Sequence, residues 1–187
     1  MEKNAIKAVV IGGSAGSLEV LLQVLPQIID VAFAIVIVMH RRSGDNVLLE
    51  ELVRSRARIP VDETNDKAAL LPGRIYIAPA NYHLLFESDG RLSLDISDKF
   101  NFSRPSIDVT FESAADALGS TVCGLLLSGA NSDGTTGLIA IKSVGGVIAI
   151  QDPEQAAMPY MPEYAALHAR PDFILATDKI ADWILDL

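Results

Sequence analysis

The sequence predicts an open, doubly wound α/β fold whose mostly parallel sheet carries an antiparallel edge hairpin. Three observations lead there. Uninterrupted Val/Ile/Leu runs recur along the chain, segments with helical spacing separate them, and one central stretch changes to alternating polarity. Continuous apolar runs suit parallel strands covered by helices on both faces. Strand and helix in alternation imply right-handed crossovers and an open sheet.

The elements follow in order. KAVVIG at 7–12 reads as the first strand, and SLEVLLQVLPQI from Ser17 as the helix after it. VAFAIVIVM at 31–39 is the second apolar run, followed by a helical pattern from Asp45, DNVLLEELVRSRA. RIYIA at 74–78, then YHLLFE and RLSLDI around Ser88-Asp89-Gly90, alternate in polarity about a glycine-containing turn. That pattern predicts an antiparallel hairpin at a sheet edge. SIDVTFESAADAL from Ser106 is helical, its start marked by Pro105. TVCGLLL at 121–127, a helix from Asp133, GVIAI at 146–150, FILA at 173–176 and a helix from Thr177 complete the alternation. The helical segments begin at Ser, Thr or Asp, residues able to cap a first turn.

Composition narrows the classes. A chain of 187 residues, 50% hydrophobic, suits a single domain over residues 1–187. A net charge of -9 and scattered Lys and Arg speak against nucleic-acid and anionic-membrane partners. Cys123, alone and inside an apolar run, reads as a small buried thiol. Three histidines and one cysteine show no metal-ligand spacing, so no structural zinc site is expected. The N-terminus has no secretory pattern, and the run from Val31 to Met39 falls well short of the roughly 20 residues that span a bilayer, which predicts a cytoplasmic protein.

In open α/β sheets ligands bind beyond the carboxyl ends of the strands, so candidate chemistry is sought there. The first strand ends in Gly12-Gly13-Ser14-Ala15-Gly16, a G-x-S-x-G turn into a helix. Such a turn projects a serine hydroxyl beside helix N–H groups. It can equally be a phosphate-holding turn, and on this motif alone the two readings stand level. The second strand ends in Met39-His40, which offers Ser14 a base. The run TVCGLLL leads through SGANSDG to Asp133, a residue whose commonest role at that position is a helix cap. Together the three supply nucleophile, base and carboxylate in the order Ser, His, Asp. His83 and His168 have no comparable placement and read as structural or solvent-facing. Met158, Tyr160 and Met161, in MPYMP, offer adaptable apolar contact for a substrate groove, or form a plain connecting loop. Arg41 and Arg42 read as a solvated approach to the next helix, with attraction of an acidic partner as the alternative.

VVIGGSAGS around Ser14, VMHR around His40, LLPGRIYIAPANYHL at 70–84, RPSIDVTFESAA at 104–115, LLSGANSDGTTGL around Asp133 and GGVIAIQDPEQAAMPYMPEYAAL at 145–167 resemble, in order, the catalytic domain of the chemotaxis protein-glutamate methylesterases, the CheB family. The resemblance implies a serine esterase that hydrolyses glutamate γ-methyl esters on chemoreceptor signalling helices and deamidates selected glutamines, without a cofactor. It matches nucleophile, base and acid to Ser14, His40 and Asp133, and backbone oxyanion donors to Ala15 and Ala130. Activity should then rise with pH as His40 loses its proton. The chain departs from the family's G-M-G-x-D-G pattern with Gly129-Ala130-Asn131-Ser132-Asp133-Gly134, where Asn131 is expected to tolerate left-handed angles. Ser17 stands where the family has glycine. No N-terminal receiver domain is evident, so regulation is absent, comes from another chain, or resides in a missing part. The rival readings are a nucleotide-binding module built on Gly12–Gly16 and a catalytically inactive interaction domain.

Overall fold

The computed structural model describes residues 5–40 and 46–187. Among these residues seven strands form the main sheet: β1 (Ala8–Gly13), β2 (Ala34–Met39), β3 (Val61–Glu63), β5 (Ile75–Ile77), β8 (Val122–Leu126), β9 (Val147–Gln151) and β10 (Phe173–Leu175). Their spatial order is β10-β9-β8-β1-β2-β5-β3, and every pairing is parallel. Both faces of the central strands are covered, which is why β1, β2 and β8 are buried at each position.

Among the described residues six helices lie between and beside the strands: α1 (Ser17–Val24), α2 (Asn46–Arg56), α3 (Ile107–Leu118), α4 (Thr135–Ser143), α5 (Tyr160–Ala169) and α6 (Ile180–Leu185). On one face Val9, Ile11, Ile35 and Ile37 pack with Leu21 and Val24 of α1, Val53 of α2 and Ile184 of α6. On the other, Val10, Val36 and Val38 pack with Phe111 of α3, Leu138 of α4 and Met161 of α5. The alternation of Val9 and Ile11 against Ala8 and Val10 is the strand period of two, divided between the faces.

Most expected elements form near their sequence boundaries. Pro26 ends α1 early, because it lacks the N–H a further helical bond needs, and Leu25–Gln27 continue as a 3₁₀ turn. Of the expected side-chain caps, Ser106 fulfils its role: its hydroxyl accepts from Val109 N at the start of α3. Asp45, the expected start of α2, lies outside the described residues, as do Arg41 and Arg42.

The central stretch differs from expectation in one respect. The hairpin forms, with β6 (His83–Phe86) antiparallel to β7 (Arg91–Asp95). It joins β4 (Ala68–Ala69) in a separate three-stranded sheet instead of extending the edge of the main one, while Ile75–Ile77 belong to the parallel sheet. Leu84, Phe86 and Leu92 bury against Ile107 and Phe111, so the hairpin covers α3. Phe86 N donates to Ser113 Oγ on that helix at 3.1 Å.

Order reverses at β1: the chain moves to β2 on one side and, much later, to β8 on the other. The crevice beyond the carboxyl ends of β1 and β8 is therefore the switch point at which doubly wound sheets bind ligands. A hollow bordered by Lys7, Pro72, Glu87 and Leu118 lies at the opposite end of these strands.

Candidate active site

Ser14 leaves β1 through a tight turn. Gly16 takes φ +83°, a left-handed conformation that glycine adopts at no steric cost, and a Cβ there would lie 2.6 Å from Ala157. The Ser14 amide donates to Ser128 O at 2.9 Å, and Ser17 Oγ donates to Ser14 O at 2.6 Å. Ser17 is fully buried, and its hydroxyl locks the elbow from beneath rather than capping α1.

The last paired residues of β1 and β2 are Gly13 and Met39, and the next residues are Ser14 and His40. His40 N donates to Gly13 O at 3.1 Å, which extends the ladder by one step. Adjacent strands lie about 4.8 Å apart, so serine and histidine emerge side by side. Among the described residues the Ser14 hydroxyl makes no hydrogen bond.

His40 and Asp133 are joined directly, Nε2 to Oδ2 at 2.6 Å. A carboxylate partner places the proton on Nε2 and leaves the Nδ1 lone pair as the basic position. The ring nitrogens thus exchange the roles they have in the serine-protease template.

Asp133 does act as a helix cap, but for α3 and not for the helix it precedes. Its carboxylate accepts from His40 Nε2, from Ser106 Oγ at 2.9 Å, from Ile107 N at 2.8 Å and from Asp108 N at 3.0 Å. His83 supports this arrangement: fully buried, it accepts from Ser106 N through Nδ1 and donates from Nε2 to Asp98 O. Asn131 shapes the loop with its side chain, Oδ1 accepting from Asp133 N at 3.2 Å, and adopts no left-handed angle.

Burial alone would raise the pKa of Asp133. The hydrogen bond from His40, the amides of Asp108 and Ile107 and the nearby imidazole charge outweigh it, and the carboxyl is held below its ordinary value. Beside it Asp108 moves the other way. Burial pushes it up to about 7 against the Gly137 amide, and the Asp133 charge, contact with the Asp133 carboxyl and the charge of Glu112 add to the rise.

The two acids therefore affect stability in opposite senses. Asp133 stabilises the fold above its unfolded value near 4, and that contribution is lost as pH falls through its depressed folded value. Asp108 binds a proton in the folded state up to about 7. From about pH 4 to that value the folded state carries the extra proton, so stability falls as pH rises. Relative to wild type, Asp108→Asn should gain about 5 °C in melting temperature between pH 5 and pH 7.5. Thermal melts across that range test this, and an unchanging difference would contradict it.

A family model described as CheB methylesterase matches residues 9–184. The chain belongs to the CheB methylesterase family. A Leptospira interrogans relative, provisionally named a protein-glutamate methylesterase/protein-glutamine glutaminase, is 38% identical over 97% of this chain and 94% of its own length. The Thermotoga maritima protein-glutamate methylesterase/protein-glutamine glutaminase is 33% identical over 97% of this chain and 54% of its own length. The crystal structure of the Thermotoga maritima CheB methylesterase catalytic domain superposes with a TM-score of 0.91 at 31% identity, covering 98% of this chain and 99% of that one.

In this CheB-family chain Ala15 and Ala130 are exposed, and among the described residues neither backbone N–H donates a hydrogen bond. Both remain available to a ligand. Ser128 holds the surrounding segments: its hydroxyl donates to Ala15 O at 2.7 Å and accepts from Met158 N at 2.9 Å, and its amide donates to Gln151 Oε1. Met158 and Tyr160 stand exposed beside this loop. Met161 does not. It is fully buried beneath Gly129, where an added Cβ would lie 2.5 Å from Met161 Cε, so it supports the loop and lines no groove. Tyr160 and Met161 open α5, so MPYMP is no plain connecting loop; Pro162 fits in the first turn, where its missing N–H is not needed.

Ser106, Asp108, Ser128 and Gln151 were not legible as site residues in this family member's sequence. Asp108 alone left a local signal: with Phe111 at i+3 and Ala115 at i+7, it puts an acid on the buried stripe of α3. Among the described residues no group of His, Cys, Asp and Glu could hold a metal ion, and no helix is long and apolar enough to cross a membrane.

Proposed function

We propose that this chain is a cytoplasmic serine esterase that hydrolyses glutamate γ-methyl esters on chemoreceptor signalling helices, releasing methanol, and deamidates receptor glutamines at the same site. The observation that carries the reading is the His40–Asp133 hydrogen bond at 2.6 Å, formed one residue beyond the strand register that sets Ser14 beside His40. Family membership supplies the reaction class.

In this mechanism Ser14 Oγ attacks the ester carbonyl while His40 Nδ1 takes its proton. Asp133 holds the proton on Nε2 and stabilises the imidazolium. The Ala15 and Ala130 amides donate to the tetrahedral oxyanion, the task for which preorganised backbone N–H groups are most effective. His40 returns the proton to the departing methoxide, and methanol leaves. Water, deprotonated by the same nitrogen, then attacks the acyl-enzyme and frees the glutamate carboxylate. With glutamine the leaving group is ammonia and the sequence is unchanged. Met158 and Tyr160 offer apolar contact to a receptor helix in this reading, and a receiver domain in another chain or another part of the protein is a candidate regulator.

A phosphate-holding turn has less support, because the Ser14 and Ser17 amides are already engaged, by Ser128 O and Ser14 O respectively. The direct test is methanol release from a methylated receptor signalling segment, with organophosphonate labelling of Ser14 in parallel. Hydrolysis and stoichiometric labelling are expected; a chain that does neither is no esterase.

A further inference from the structure

Asp108 is a buried carboxyl with no place in the mechanism above. It is 2% exposed, on the first turn of α3, and Oδ1 accepts from Gly134 N at 2.9 Å and Gly137 N at 2.8 Å. These amides open α4, whose own N-cap residue, Gly134, supplies no side-chain bond. Asp133, directly ahead of α4, meanwhile directs its carboxylate to the amides that open α3. The start of α4 is thus capped by an acid of α3, and the start of α3 by the acid just ahead of α4.

The exchange depends on close approach. A Cβ on Gly137 would lie 2.3 Å from Phe111 Cβ and 3.1 Å from the Asp108 carbonyl oxygen, so only glycine lets the first turns meet. We propose that Asp108 is a positioning residue for this site: by holding the first turn of α4 it keeps the Asp133 carboxylate on His40 Nε2. The proposal rests on the esterase reading for its kinetic consequence and on the helix contacts for its structural one.

Without the Oδ1 acceptor two buried N–H groups lose their partner, a loss that the segment from Ser132 to Gly134 relieves by shifting. Asp133 lies in that segment and moves with it. A displacement near 1 Å in a catalytic array costs on the order of 10²-fold in rate. The titratable groups around Asp108 are Asp133 from the loop before α4 and Glu112 one turn along α3, with His40 reached through Asp133 and His83 through Ser106.

The test compares wild type with Asp108→Ala and Asp108→Asn in the whole chain. Asp108→Ala should lower kcat for methyl-ester hydrolysis by about 10- to 100-fold with KM within about twofold. Asp108→Asn, whose amide oxygen replaces Oδ1, should restore kcat to within about threefold of wild type. A reading independent of substrate is the low-field NMR resonance of the His40 Nε2 proton, which should persist in Asp108→Asn and vanish in Asp108→Ala. A folded Asp108→Ala protein with wild-type kcat and an unchanged resonance overturns the proposal, as does an Asp108→Asn protein as impaired as Asp108→Ala. Should Asp108→Ala not fold, Asp108→Asn decides: a folded Asp108→Asn protein that has lost the His40 Nε2 resonance overturns it. If wild type hydrolyses no ester, the esterase reading fails, while the resonance still tests the role of Asp108.

Discussion

Replacing Ser14 by alanine is expected to lower kcat for methyl-ester hydrolysis on the order of 10⁶-fold, with the melting temperature close to that of wild type. The two halves of this expectation have separate physical grounds. In the proposed mechanism the loss of Ser14 Oγ removes the covalent route and leaves His40 and the Ala15 and Ala130 amides with nothing to activate. The fold survives because the Ser14 side chain bonds to nothing among the described residues. The turn is held instead by the Ser14 amide on Ser128 O and by Ser17 Oγ on Ser14 O. Methanol release with a methylated receptor segment, followed beside a thermal melt, measures both. Residual turnover within a hundredfold of wild type would remove Ser14 from the chemistry, and with it the proposed mechanism.

Asp133→Asn should cost about 10⁴-fold in kcat, and unlike Ser14→Ala it should also destabilise the fold, by roughly 1 to 3 kcal/mol. Oδ1 accepts from Ser106 Oγ and Asp108 N, while Oδ2 accepts from His40 Nε2 and Ile107 N. An asparagine has one oxygen to offer these two pairs. With that oxygen toward Oδ1's partners, the NH₂ group faces His40, which must then carry its proton on Nδ1, and the lone pair that the proposed mechanism assigns to Ser14 is lost. With the oxygen toward His40, the Asp108 amide faces another donor and the cap of α3 weakens. Steady-state kinetics and denaturant unfolding separate the two losses. Wild-type stability together with wild-type kcat would show that the four-donor site has no energetic weight.

Strands β1, β2, β8 and β9 were legible because they are buried on both faces and therefore read as unbroken apolar runs, Ala8–Gly13 and Ala34–Met39 above all, whereas the edge strand Val61–Glu63 has no such run and was missed. Pairing Gly13 with Met39 puts Ser14 beside His40 almost without further information, since adjacent strands that end in register bring their next residues together. The hairpin was legible as a hairpin. Its membership of a second sheet was not, because alternation specifies which residues face a core and says nothing of which core. Helix α5 was missed for a different reason. Pro159 and Pro162 crowd its start, and a first-turn proline looks the same in sequence as one that breaks a helix.

Met161 shows the limit of composition at a site. A methionine beside a tyrosine suits a groove as well as a core, and the contact that decides between them is with Gly129, 32 positions earlier in the chain.

The sequence by itself determined the parallel sheet, the strand ends that carry serine and histidine, and the family, because strand burial and strand-end chemistry are written into consecutive residues. Only the tertiary structure decided what surrounds Asp133. Its donors come from the end of β2 and the start of α3, and the neighbouring acid, Asp108, turns to the amides of α4. Hydrogen bonds between two helix ends depend on how closely the helices approach, and that distance is set by the packing of Phe111 against Gly137, a contact between separate helices that neither segment encodes alone.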